Sequence, residues 1–161
     1  MNTSVFSDAG FDMDLSPFGK PSLLTRIAVG KAIGFVIGIV GFSVAPFISE
    51  EISMMTRLGI LCWYPTIGAF IAVFGVFNWH PILNLPLPWW FRSTFVGAWM
   101  NFVLAFFAHE QMSTILDGIF HQNVSPFWFV LNGGVFGLVT GFLCTQAGGE
   151  GPDTLAPVVN G

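Results

Sequence analysis

Residues 27–48 read IAVGKAIGFVIGIVGFSVAPFI, an unbroken apolar stretch with a single charge, Lys31. About 20 apolar residues in a helix cross roughly 30 Å of hydrocarbon, so this stretch by itself asks for a bilayer. Three others pass the same test. They are residues 58–77, 91–108 and 127–144, the last reading FWFVLNGGVFGLVTGFLC. The second and fourth stretches contain no charge, and the third carries only Arg92 near its start. Lys31 and Arg92 lie close enough to the stretch ends for their long side chains to snorkel to the headgroups. A soluble helical bundle needs polar helix faces, and these segments have none.

The composition agrees. Of 161 residues, 53% are hydrophobic and 9% charged, against about 25% charged in an average soluble chain. Mean hydropathy is +0.73. An ordinary water-soluble enzyme and a disordered tail are thereby excluded. Five Lys and Arg against nine Asp and Glu also exclude a phosphate-binding surface, so no nucleic-acid partner is expected. The expected fold is an all-α integral membrane protein: four transmembrane helices (27–48, 58–77, 91–108, 127–144), short loops, and unstructured tails at 1–26 and 145–161. The first stretch does not read as a cleaved signal. The 19 residues before Lys20 hold three Asp and no cation, and the small-x-small candidate Ser43-Val44-Ala45 is followed by Pro46.

Orientation follows the cations. Lys20, Arg26, Lys31 and Arg92 fall on one side of the four-span topology and Arg57 on the other. The positive-inside rule then predicts both termini in the cytoplasm, in a bacterial inner (plasma) membrane. Trp79, Trp89 and Trp90 cluster at the same ends as the termini, and Trp63, Tyr64 and Trp128 at the opposite ends, as interfacial belts.

Glycine spacing is the clearest packing signal. Gly30, Gly34 and Gly38 recur every four residues in the first span, and Gly133, Gly137 and Gly141 do so in the fourth. Residues four apart share a helix face, so each helix offers a groove for close backbone approach. The two grooves are expected to pack on each other, or to build an oligomer or dock a partner. The second span adds Gly68, Ala72 and Gly75, and contains Pro65, which frees a carbonyl that Thr66 or a neighbouring helix must cover.

Chemistry at depth is sparse. Asn101 and Asn132 are the deep polar residues, suited to hydrogen bonds between helices or, with Thr66, to contact with a solute. Cys62 and Cys144 stand alone in apolar runs and read as buried small hydrophobes. His80 falls at the termini side, whereas His109 and His121 share the opposite side about 18 Å apart if the segment between them is helical. That is too far to share one metal, so no metal, cofactor or catalytic site is expected.

Two connections have character of their own. Met112, Ile115, Leu116, Ile119 and Phe120 form one apolar face, predicting an amphipathic extension of the third span or a short surface helix, with Asp117 and His121 placed to pair. The stretch from Asn78 to Trp90 is apolar but broken by Pro81, Pro86 and Pro88, so it must run along the interface or be covered by another protein. The favoured role is a non-catalytic structural or assembly subunit, or a glycine-packed oligomer. A channel or transporter for a small neutral solute, using Asn101, Asn132 and Thr66, is the alternative. A redox or pigment subunit is third.

Overall fold

A computed structural model describes residues 21–79 and 85–155. The remainder of both tails, together with His80 and Pro81, lies outside these residues. The described residues form five α-helices: α1 (Leu23–Ile48), α2 (Met54–Phe74), α3 (Trp89–Phe107), α4 (His109–Phe120) and α5 (Phe129–Gly148). α1, α2 and α5 are each long and apolar enough to cross a bilayer, and α3 with α4 passes as a bent pair. The outward surface is correspondingly apolar, with Phe35, Phe47, Phe95, Val139 and many like them exposed. Such a surface is stable only against hydrocarbon, and the chain is a small multi-pass membrane protein.

Each helix starts and stops for local reasons. Ser22 caps α1 by accepting from the Thr25 amide, and Ser53 caps α2 by accepting from the Thr56 amide at 3.2 Å. Pro88 precedes α3, and Pro126 opens a short 3₁₀ turn leading into α5. The backbone breaks at Ala108, so α4 leaves α3 at 104°. Its apolar residues Met112, Ile115 and Leu116 are buried, while Glu110 and Gln111 are exposed. Of the two forms the sequence allows, the surface helix is therefore the one adopted. Ile119 and Phe120 depart from the expected face and are exposed. Asp117 does not pair with His121 through its side chain. Its carboxylate accepts from the Val124 amide at 3.3 Å, while His121 turns left-handed to close the helix.

The bundle is two antiparallel hairpins, α1 with α2 and α3 with α5. The glycine faces make these pairs, and here the expected partner is corrected. Gly30 lies against Gly68, Gly34 against Tyr64 and Pro65, and Gly38 against Leu61. Gly133 lies against Gly97 and Asn101, Gly137 against Ser93 and Gly97, and Gly141 against Ser93. The two faces do not meet each other. The short loop after α1 makes α2 its antiparallel neighbour, whereas α3 and α5 pair across the intervening α4 because α3 offers Ser93 and Gly97, small residues four apart, to the α5 glycines. A Cβ at Gly38 would sit 2.8 Å from the Leu61 carbonyl oxygen. That is the carbonyl Pro65 frees, and α1 packs over it at Gly38. Thr66 instead donates to the Cys62 carbonyl at 2.9 Å.

Candidate functional site

At the end of the bundle where the termini lie, two arginines close the gap between hairpins. Arg26 is inside α1 rather than in a preceding tail, and only 1% exposed. Its Nε donates to the Ala72 carbonyl at 3.0 Å, and Nη1 donates to the Gly149 carbonyl and to Thr145. A guanidinium thus satisfies carbonyls at the C-terminal ends of α2 and α5, where the helix dipoles favour a cation. Arg92 does not snorkel to headgroups. It is buried, donates to the Phe77 carbonyl, and pairs with Glu150 at 2.7 Å. Side chains lean toward the N-terminus of their helix, so Arg92 points at the α2–α3 connection and meets it before reaching lipid.

Residues 145–148 complete α5, and 149–155 fold back instead of forming a free tail. The Gly151 amide donates to the Gly75 carbonyl at 3.0 Å, and the Ser22 amide to the Gly148 carbonyl at 3.1 Å. Gly75, Gly148 and Gly151 permit this crowding; Gly151 also holds a left-handed φ of 82°. Of the cysteines, Cys144 is buried and its Sγ reaches the Arg26 carbonyl at 3.4 Å. Cys62 is exposed on the lipid face of α2, against expectation.

The deep asparagines serve different junctions. Asn101, 1% exposed, accepts from Trp63 Nε1 at 3.0 Å and donates to the Phe129 carbonyl at 2.9 Å, tying α3 to α2 and α5. Asn132 is exposed and accepts from the Tyr64 hydroxyl at 2.9 Å. Thr66 is also exposed, so Asn101, Asn132 and Thr66 do not line one path. Trp79, Trp89 and Trp90 sit at the termini end, with Trp89 against Phe142 at 5.7 Å between ring centres, and Trp128 sits at the α4 end.

Toward the α4 end the hairpins part and leave a cleft of about 650 Å³. α1 and α2 form one wall, α3 the other, and α4 the roof. Ile37, Val40, Val44, Met55 and Phe107 stand at its edge and are exposed, so the cleft opens sideways through apolar residues. Along α1 it runs from Ile37 to Ile48, about 16 Å at 1.5 Å per residue. Half of a 30 Å hydrocarbon core is roughly 15 Å, so the cleft has the depth of one leaflet. Its polar side chains are Thr56, Trp63, Tyr64, Asn101 and Gln111.

Nothing in the sequence reading pointed to this cleft, because it arises from the divergence of two pairs. The one sequence signal for it is Gly59, which lines it and has no atom within 4 Å of where a Cβ would stand. Among the described residues, no three His, Cys, Asp or Glu come together as metal ligands. Compared with protein-family models, with curated proteins and with solved structures, the chain matches none.

Proposed function

We propose that the protein acts without catalysis, by holding a lipophilic molecule in the cleft between its hairpins. The observation that carries this is the cleft itself: apolar, of the size of ligand sites generally, one leaflet deep, open sideways and roofed by α4. A molecule already dissolved in the bilayer enters such a space without crossing water. The test is photolabelling in phosphatidylcholine nanodiscs with a saturated alcohol carrying a diazirine on its chain. Adducts are expected to concentrate on cleft residues such as Met55 and Phe107 relative to Phe35 and Val139, and to fall in Gly59→Trp, which fills the cleft. Even labelling of all lipid-facing residues, unchanged in Gly59→Trp, overturns the proposal.

A second reading, an accessory subunit, has its own observation. Phe91, Phe95, Trp99, Phe102 and Phe106 form a continuous ladder of ring contacts along α3, most of it exposed. An adjoining membrane helix could pack there. Stoichiometric foreign chains in the native mass of the gently solubilised protein support this reading, and a lone monomer removes it. An oligomer built on the glycine faces loses its motive, since α2 and α3 occupy them. For orientation, Lys20, Arg26, Lys31 and Arg92 against Arg57 support cytoplasmic termini in a bacterial inner membrane. Impermeant thiol reagents that label a cysteine placed in a tail only after membrane rupture fit that orientation, and labelling of intact cells contradicts it.

A further inference from the structure

At the α4 end the cleft runs into a second, polar space of about 210 Å³. Thr56 and Gln111 line both, so the two adjoin as an apolar and a polar half. The polar half is made by the α1–α2 loop and the exposed side of α4. It adds Glu51, Ser53, Glu110 and Thr114 to the two shared residues. Its lining includes two acidic residues and no basic one. Arg57, the one arginine at this end, is committed elsewhere: its Nε donates to the Phe42 carbonyl at 3.1 Å and its guanidinium lies 4.4 Å from the Phe42 ring centre. Neither Glu51 nor Glu110 forms an ion pair among the described residues.

We infer that the site takes a single-chain amphiphile with a cationic head. The chain occupies the cleft, and the head lies between Glu51 and Glu110. This rests on the reading of the cleft as a lipophile site and adds the head chemistry. The geometry matches a bilayer amphiphile in depth as well as polarity: the apolar half spans one leaflet, and the polar half sits beside α4, the amphipathic helix that lies across the bundle end. An anionic head would meet two like charges, and the hydroxyls of Ser53 and Thr56 are already bonded to each other at 3.0 Å. Charge, not hydroxyl donation, is therefore what the niche offers.

The experiment uses the full chain in phosphatidylcholine nanodiscs and three diazirine probes with matched saturated chains and trimethylammonium, alcohol or sulfate heads. Labelling of cleft residues is normalised to that of lipid-facing Phe35 and Val139 in the same sample. The trimethylammonium probe should label the cleft about tenfold more than the sulfate, a ratio that attraction of one head and repulsion of the other by two exposed carboxylates can together supply, with the alcohol between them. In the Glu51→Gln/Glu110→Gln double variant the three should fall within about twofold of one another, with the alcohol unchanged. Equal labelling by all three heads in the parent, a preference for alcohol or sulfate, or a cation preference that survives the double variant each overturns the head assignment while leaving the cleft reading intact. Absence of cleft labelling by any probe overturns both.

Discussion

Arg26 concentrates the physics of this molecule in one side chain. A cation inside an apolar helix is costly unless its donors are used, and here they reach carbonyls of α2 and of the residue after α5. Replacing it by Leu removes the charge but also the charged donor to the Ala72 and Gly149 carbonyls, bonds worth about 1.5–3 kcal/mol each. Arg26→Leu should therefore lower unfolding stability in mild detergent by about 3 kcal/mol, with Arg26→Lys recovering part of it; an unchanged midpoint would contradict the clamp. In the sequence Arg26 reads as a tail residue and an orientation signal. Its Thr145 partner stands 119 positions along the chain, and no local pattern announces such a contact. The glycines were legible in a way Arg26 was not, because their spacing is local. A side chain at Gly34 would overlap the Tyr64 carbonyl and Pro65. Gly34→Leu should thus cost about 3 kcal/mol or prevent folding, whereas Gly59→Ala, with open space around it, should be neutral or stabilise by up to about 1 kcal/mol through helix propensity. Equal effects of the two changes would show that the glycine face is not a contact.

For single elements, the helices were readable from composition and the pairing was not. Apolar length predicts four spans, and the amphipathic period of 112–120 predicts a helix there while leaving open whether it extends the third span or lies on the surface. Which face meets which depends on small residues the glycine pattern passed over, above all Ser93 and Gly97 on α3. Their four-residue spacing matches that of the α5 glycines, and read that way they would have pointed to α3 as the partner of α5. Proline supplies a second example. Pro46 sits inside α1 and removes the amide that would bond the Phe42 carbonyl. Arg57 of α2 donates to that carbonyl instead, so a cation at the far end of the topology has a structural task. A double-mutant cycle tests it. Arg57→Gln should be costlier by about 1 kcal/mol in the parent than in a Pro46→Ala background, where the helix supplies its own donor. Loss of the Phe42 ring contact is common to both backgrounds and cancels. A coupling near zero would mean that the Arg57 bond contributes nothing.

Over the whole molecule, the two ends of the bundle differ in kind. Where the termini lie, Arg26, Arg92, Glu150 and residues 149–155 bind the hairpins together with hydrogen bonds and one ion pair. Toward the α4 end, the hairpins meet through Trp63 with Asn101, Tyr64 with Asn132, and the apolar packing of Ala45 and Ile52 on Met112 and Ile115, and the cleft occupies the space between these contacts. The sequence could not reveal a space formed by the divergence of two pairs, since emptiness leaves no periodicity. Cleft, head niche and arginine clamp all follow from one arrangement: α1 on α2 and α3 on α5, within a single chain. Ala98 offers a direct probe, because its Cβ stands 3.7 Å from where a Cβ on Gly134 would be, within the range a disulfide requires. The decisive measurement is oxidation of Ala98→Cys/Gly134→Cys in membranes, with Cys62 and Cys144 replaced by Ser and Ala, read on a non-reducing gel and by peptide mass. A bridged monomer is expected. Failure to bridge, or a disulfide-linked dimer, would contradict the pairing from which the rest is built.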